Sequence, residues 1–232
     1  MTGLARPVVL LGAPGAGKGT QAREVAKHFG VPQIATGDMF RDHVARGTDL
    51  GRQAKAVMER GELVSDEIVS AMVDERIRQA DCRQGFVLDG FPRTLPQAER
   101  LEEIRSAACF RPVLAINLEV SYDRLFRRLT GRRTCQSCGA IYNIYDRPPR
   151  VPDRCDRDAG KLLQRADDRE EVIRERLAAY ERQTKPLIQY YRQRDALVEV
   201  KGDESPEALT RRLIELLEVL PAPVPAGGRR GV

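Results

Sequence analysis

A glycine-rich segment with one lysine, residues 12–20, has the composition of a loop that binds phosphate groups. It reads GAPGAGKGT, so four residues separate its first glycine from Gly17 and Lys18. Glycines let backbone amides turn towards anionic oxygens, the following helix N-terminus favours negative charge, and a lysine supplies a mobile cation. Gly19 stands where this motif usually has a magnesium-binding hydroxyl, so we expect phosphates and water to hold most of the Mg²⁺ shell. Asp89, directly after a predicted strand, is the candidate residue for the outer coordination shell of the Mg²⁺.

Three of the five cysteines lie in one stretch rich in Pro, Asp and Gly, a pattern that favours metal binding over disulfides. Cys135 and Cys138 form a CxxC pair, and Cys155 and Asp158 repeat the two-residue gap seventeen residues further on. Three thiolates and one carboxylate would complete a tetrahedral structural Zn²⁺ site. A Cys135–Cys138 disulfide, unliganded thiols, or iron in the same geometry are the alternatives. A metal would supply folding energy to a segment with few apolar residues.

The elements that must position these residues follow an α/β pattern. Short apolar runs alternate with helical patterns, which indicates a doubly wound parallel sheet of five strands. Ligands of such sheets bind beyond the carboxyl ends of the strands, where the richest motifs lie. The predicted strands are residues 7–12, 33–35, 85–88, 113–118 and 197–200, and the predicted helices are 17–29, 38–45, 50–60, 66–80, 97–106, 122–129, 169–194 with a kink at Pro186, and 206–219.

Composition limits the classes of function. The chain has 232 residues, 41% of them hydrophobic and 31% charged, which is typical of a globular protein. A net charge of +5 suits nucleotides, nucleic acid or an acidic membrane surface, but without Trp the chain has few aromatic residues to stack on single strands. No apolar run approaches the roughly 20 residues that span a bilayer, and the first run ends in a glycine-rich turn, so we expect a cytoplasmic protein. Cys82 and Cys109 are expected to be buried, and the Pro- and Gly-rich residues 221–232 to form a disordered tail.

Five stretches, taken together and in this order, resemble the adenylate kinases. They read GAPGAGKGT at 12–20, ATGDMFR at 35–41, LDGFPRTLPQ at 88–97, GRR at 131–133 and QRADD at 164–168. The resemblance covers about residues 7–218, and the long segment between Arg132 and Arg165 resembles the long bacterial form of the family, with Asp158 as a variant found among zinc-bearing members. It implies a fold of P-loop kinase type with a core at 1–34, 65–130 and 169–220, an AMP-binding segment at 35–64 and a zinc-binding lid at 131–168.

The resemblance also implies reversible phosphoryl transfer from MgATP to AMP, giving two ADP, and so a role in adenine nucleotide homeostasis. It implies a monomer that binds ATP, AMP and ADP, with no nucleic-acid or membrane partner. The implied catalytic residues are Lys18, Arg93, Arg132, Arg165 and Arg176. The implied ATP-binding residues are Gly15, Ala16, Gly17, Lys18, Gly19, Thr20, Arg128, Arg132, Ile141, Tyr142 and Glu204. The implied AMP-binding residues are Thr36, Arg41, Glu62, Leu63, Val64, Gly90, Phe91, Pro92, Arg93, Gln97, Arg165 and Arg176.

The residue types agree with this chemistry, because phosphoryl transfer needs several cations to converge on the transferred group. Three alternatives stay open. One is another nucleoside monophosphate kinase, and the second is an AMP kinase that uses GTP. The third is an NTPase whose zinc knuckle binds nucleic acid. Aspartates are interspersed among the arginines of the cysteine-rich stretch, and their negative charge disfavours binding to a polyanion.

Overall fold

The computed structural model describes residues 3–219, so the predicted disordered tail at 221–232 lies outside the described residues. The strands are β1 (Val8–Leu11), β2 (Gln33–Ala35), β3 (Val87–Asp89), β4 (Leu114–Glu119), β5 (Arg132–Cys135), β6 (Ile141–Asn143), β7 (Leu162–Leu163) and β8 (Leu197–Lys201). The α-helices are α1 (Lys18–Phe29), α2 (Thr36–Ala45), α3 (Asp49–Glu59), α4 (Asp66–Ile77), α5 (Leu95–Ala107), α6 (Tyr122–Thr130), α7 (Glu170–Ala179), α8 (Pro186–Arg192) and α9 (Pro206–Val219). Across residues 3–219, no helix is both long and apolar enough to span a membrane.

The main sheet has five strands in the order β2-β3-β1-β4-β8. Every pairing between these neighbours is parallel, which confirms the predicted doubly wound α/β fold. The central strand β1 aligns Val8 with Val87 on one side and with Leu114 on the other. Because the strands are parallel, their carboxyl ends, and the loops that follow them, meet at one edge of the sheet.

Alternation of side chains along the buried strands gives the protein one hydrophobic core on each face of the sheet. Val8 and Leu10 of β1 pack in a cluster with residues of α1, α6, α7 and α9. Val9 and Leu11 pack in a second cluster with residues of α2, α3, α4, α5 and α8. All four β1 residues are at most 2% exposed, as expected for a strand covered by helices on both faces.

A second, smaller sheet forms inside the cysteine-rich stretch. Its three strands lie in the order β6-β5-β7, and both pairings are antiparallel. The core attached to it consists of five buried residues, namely Cys135, Ala140, Tyr142, Cys155 and Leu162. Two of the five are candidate metal ligands, so little apolar burial remains to hold this unit together.

The region predicted as one kinked helix, 169–194, is instead interrupted by a wide π turn at Tyr180–Thr184 between α7 and α8. The amide of Lys185 donates to the carbonyl of Tyr180, 2.9 Å away and five residues back. Pro186 has no amide hydrogen to continue a regular ladder. The wide turn brings the Thr184 hydroxyl to the carbonyl oxygen of Arg93, to which it donates at 2.8 Å.

Two other local predictions differ from the structure. Strand β3 begins two residues later than predicted and includes Asp89, which is therefore the last residue of the strand. Cys82 is fully buried, as predicted, but the prediction that Cys109 is buried is wrong. Cys109 follows the end of α5 in a left-handed conformation with φ 58°, so the chain turns there at the surface.

Candidate active site

A cavity of about 940 Å³ opens at the carboxyl edge of the main sheet. The residues that follow or end four of the five strands line it, namely Gly12 after β1, Ala35 in β2, Asp89 in β3 and Gly202 after β8. Helix α3, the small sheet and α7 contribute further lining residues. The predicted phosphate loop, several predicted arginines and part of the cysteine-rich stretch therefore surround one space.

The phosphate loop holds its lysine over the backbone of the loop itself. Lys18 Nζ donates to the carbonyl oxygens of Gly12 at 2.7 Å and Ala13 at 3.0 Å. Burial lowers the pKa of Lys18 to about 8, and although Asp89 opposes the shift, Arg93 and other nearby arginines add to it. The ammonium group is thus held in a site that lacks enough negative charge to balance it.

Gly19, the unusual residue of the loop, lies directly against the carboxylate of Asp89. A β-carbon at Gly19 would lie 3.0 Å from Asp89 Oδ2, so a serine or threonine there would crowd the carboxylate. The close approach shows that a larger residue at position 19 would require the Asp89 side chain to shift. It also places a carboxylate beside the phosphate loop, where it lines the cavity.

One buried carboxylate holds two of the predicted arginines. Asp168 is 0% exposed and accepts two hydrogen bonds from Arg132, at 2.7 and 2.5 Å, and one from Arg176 at 2.9 Å. Asp167 forms a second ion pair with Arg176 at 3.1 Å. Since Arg132 belongs to β5 and Arg176 to α7, Asp168 joins the small sheet to the core. No role was predicted for either aspartate, although two acidic residues beside Arg165 were a usable signal.

Arg165 is held differently. Its Nε donates to the hydroxyl of Thr134 at 3.1 Å. Burial, followed by repulsion from Arg132 and Arg41, lowers the pKa of Arg165 to about 10. Arg165 lines the cavity together with Arg41, Arg132 and Arg176.

Arg93 is held mainly by neutral groups. Its Nε donates to the carbonyl of Gly90 at 2.8 Å, and its backbone amide donates to the side-chain oxygen of Gln97 at 2.7 Å. Burial, together with repulsion from Arg176 and Arg41, lowers the pKa of Arg93. Gln97 is 1% exposed and also donates to Asp66 Oδ1 at 2.7 Å, so its side chain braces the loop that carries Arg93.

The residues predicted to bind AMP fall into two groups according to whether they line the cavity. Those that line the cavity are Arg41, Glu62, Leu63, Gly90, Pro92, Arg93, Arg165 and Arg176. Those outside its lining are Thr36, Val64, Phe91 and Gln97. Thr36 is buried and donates to the Gly90 carbonyl at 2.9 Å, and Phe91 belongs to the second core cluster, so both support the wall of the cavity from behind.

The residues predicted to bind ATP all line the cavity, namely Gly15, Ala16, Gly17, Lys18, Gly19, Thr20, Arg128, Arg132, Ile141, Tyr142 and Glu204. Arg128 donates to the carbonyl of Gly202 at 3.0 Å, next to the loop before α9. The hydroxyl of Tyr142, however, turns into the small core, where it accepts from the Asp156 amide at 2.8 Å. The sequence reasoning missed Arg124 and Arg127, which also line the cavity, although their spacing with Arg128 on one helix face was a signal.

The four predicted metal ligands come together in the small sheet unit. The ligand atoms of Cys135, Cys138, Cys155 and Asp158 all lie within 4.8 Å of one another. Cys138 Sγ is 3.6 Å from Cys155 Sγ, and Cys135 Sγ is 3.3 Å from Asp158 Oδ1. Tetrahedral Zn–S bonds of about 2.3 Å require S···S separations of about 3.8 Å, so these distances fit such an ion. All five cysteines of the chain lie within residues 3–219, and the structure joins none of them in a disulfide, which argues against the disulfide alternative.

Gly160 contacts the predicted metal ligands through its amide and through its lack of a side chain. Its amide donates to Asp158 Oδ1 at 2.9 Å, and this bond, with a contact to the Cys155 sulfur, lowers the pKa of Asp158 to about 2. A β-carbon at Gly160 would lie 2.8 Å from Cys135 Sγ, so the position has room only for glycine. Asp156 accepts instead from the Arg150 amide at 3.0 Å, and it is not part of the cluster.

Comparison with known proteins agrees with the geometry. A family model described as "Adenylate kinase" matches residues 10–196. A curated adenylate kinase from Thermodesulfovibrio yellowstonii is 52% identical over 211 residues, which is 91% of this chain and 98% of the relative. An adenylate kinase from Archaeoglobus fulgidus is 47% identical over 91% of this chain and 97% of the relative. An adenylate kinase from Nitrosococcus oceani is 50% identical over 90% of this chain and 97% of the relative. The chain therefore belongs to the adenylate kinase family of phosphotransferases, with that family's P-loop kinase fold.

Proposed function

We propose that this chain transfers the terminal phosphoryl group of ATP to AMP through the cations that surround the cavity. The main support is that five cationic residues predicted from separate parts of the sequence all line one cavity, namely Lys18, Arg93, Arg132, Arg165 and Arg176. The phosphate loop and residues of the predicted AMP segment, 35–64, line the same cavity. Because charge is spread over the phosphoryl oxygens during transfer, such a set of fixed cations is the main contribution a protein can make.

In the proposed reaction, an oxygen of the AMP phosphate attacks the γ-phosphorus of ATP. The new P–O bond forms as the bond to the bridging oxygen breaks, and that oxygen leaves as part of ADP. The attacking oxygen is already anionic, so no general base is required. Lys18 and Arg132 would bind phosphates of ATP, Arg93 would bind the AMP phosphate, and Arg165 and Arg176 would stabilise the transferred group.

Mg²⁺ would accompany ATP and partly neutralise its phosphates. Asp89 would act through the waters of the ion, since its carboxylate lines the cavity beside Gly19. Residues 131–168 would act as a lid that excludes water, a competing acceptor for the phosphoryl group. The shared carboxylate Asp168 supports this division, because it couples the base of the lid to the core. The core would comprise residues 1–34, 65–130 and 169–220.

The test is an assay of ADP formation from ATP and AMP at fixed Mg²⁺, with CMP and UMP replacing AMP and with GTP replacing ATP. We expect ADP formation that requires AMP and Mg²⁺. Transfer to CMP or UMP in preference to AMP would identify another nucleoside monophosphate kinase, and a preference for GTP would change the donor. Absence of any transfer, together with salt-dependent binding to DNA, would favour the nucleic-acid-binding alternative.

We further propose that the four-residue cluster of the lid holds a structural Zn²⁺. The support is the donor set of three sulfurs and one ionised carboxylate, at distances that fit a tetrahedral ion. Iron suits the same geometry, and elemental analysis of the purified protein separates the two. From the family resemblance, we also propose that the protein is a monomer and that it works in the cytoplasm.

Loss of the metal is expected to destabilise the lid far more than it slows the chemical step. A five-residue core with two cysteine ligands cannot replace the folding energy that metal binding supplies. Cys138→Ser is expected to lose the metal, as measured by elemental analysis, and to lower the melting temperature. Turnover at low temperature is expected to stay within about threefold of the parent protein, because none of the proposed phosphate-binding residues is changed. The exposed Cys109→Ser is the matched control, and an unchanged melting curve in Cys138→Ser would contradict the structural role.

A further inference from the structure

We infer that Thr134 is a positioning residue for phosphoryl transfer, because its hydroxyl holds the guanidinium of Arg165 in the cavity. The inference rests on the proposed function, which makes Arg165 one of the cations that act on the transferred group. Thr134 has no role in any of the motifs identified in the sequence. Its importance follows from a contact between two residues 31 positions apart.

The contact is built on rigid backbone. Thr134 lies in the middle strand of the small sheet, paired with Ile141 on one side and with Leu163 on the other. Its neighbour Cys135 is one of the candidate metal ligands. Arg165 follows β7 by two residues, so the Thr134–Arg165 hydrogen bond joins a residue of the middle strand to one just after its neighbouring strand.

The chemistry of the partner distinguishes Arg165 from Arg132, Arg176 and Arg41. Arg132 and Arg176 share the carboxylate of Asp168, and Arg41 pairs with Asp38. Arg165 forms no ion pair within residues 3–219, and its side-chain hydrogen bond goes to a neutral hydroxyl. A carboxylate would cancel part of the guanidinium charge, whereas a hydroxyl oxygen orients the group and leaves its charge available. The hydroxyl of Thr134 therefore orients the Arg165 guanidinium without neutralising its positive charge. This suits a group that must stabilise negative charge during phosphoryl transfer.

The variant Thr134→Val tests this directly, because it removes the hydroxyl and keeps the branched shape that suits a strand. We expect kcat to fall about tenfold, which corresponds to about 1.4 kcal/mol. The KM values for ATP and AMP are expected to change less than about twofold, since the loss falls on the transition state. Thr134→Ser, which restores a hydroxyl, is expected to recover most of the lost kcat.

A double-mutant comparison separates positioning from a structural role. In an Arg165→Ala background, Thr134→Val is expected to cause no further loss of kcat, because the group that it positions is gone. Thr130→Val is the control, since the Thr130 hydroxyl donates to the Phe126 carbonyl within its own helix. The melting temperature of each variant shows whether the lid remains folded.

The outcomes distinguish the two proposals. A parent protein that does not convert ATP and AMP to ADP overturns the proposed function. If the parent is active, an unchanged kcat in Thr134→Val overturns the positioning role of Thr134. An equal loss in the parent and Arg165→Ala backgrounds also overturns it, because the effect would then not pass through Arg165.

Discussion

Replacement of Lys18 by Ala is expected to lower kcat by on the order of 10³-fold while the protein stays folded. The ammonium group of Lys18 lies over the phosphate loop and is the cation closest to its backbone carbonyls. Its pKa is lowered to about 8 by burial, which means that the folded protein without nucleotide disfavours the charge. Removing that charge should therefore leave the stability of the free protein unchanged or slightly increased. The measurements are steady-state ADP formation and thermal melting without nucleotide.

The control for this variant is Lys27→Ala, in the last turn of the same helix and exposed to solvent. It changes the net charge of the chain equally, so it measures any general effect of losing a lysine. We expect its kcat to be close to that of the parent. Turnover within tenfold of the parent in Lys18→Ala would rule out the proposed contribution of this residue to transfer.

Replacement of Asp168 by Asn is expected to reduce the free energy of unfolding by about 3 kcal/mol, within the range for breaking buried ion pairs. Asparagine keeps the shape of aspartate, but it removes the charge that is paired with Arg132 and leaves Arg176 paired with Asp167 alone. Asp168 is 0% exposed, so water cannot take its place. For a chain of this length, the change corresponds to a melting temperature lower by roughly 10 °C.

The same variant should also impair catalysis, because Asp168 orients two proposed phosphate-binding arginines from different parts of the chain. Urea unfolding at equilibrium gives the stability change, and ADP formation gives kcat. Glu170→Gln, at an exposed position two residues further on, is the control for loss of a nearby acidic charge. A midpoint of unfolding that does not move would show that other groups compensate the two arginines.

Short-range features of the fold were predictable from sequence because each depends on a single element. The alternation of apolar runs with helical patterns predicted the five-stranded parallel sheet, which the structure confirms. The last helix begins at Pro206, as predicted, because proline suits the first turn of a helix. The clustering of the four candidate metal ligands was predictable because two CxxC-like spacings are closely tied to local geometry.

Contacts between distant parts of the chain were not predictable in the same way. The bond between Arg132 and Asp168 joins residues 36 positions apart, and no local pattern specifies it. The hydrogen bonds that Gln97 forms with Arg93 and Asp66 were equally unpredictable, because Asp66 lies 31 positions away in the chain. Residue type shows that a side chain can form hydrogen bonds, but only the three-dimensional arrangement decides which partner takes them.

The π turn at Tyr180–Thr184 marks a place where the chain length of this region can vary. A turn closed by a hydrogen bond over five residues holds one residue more than a regular α-helical turn, so deleting one residue there would leave the following residues near their present rotation about the helix axis. Leu187 and Tyr191, buried at 0% and 1% exposure, would then keep facing the core. Homologous sequences can therefore lack a single residue at this turn without repacking of α8.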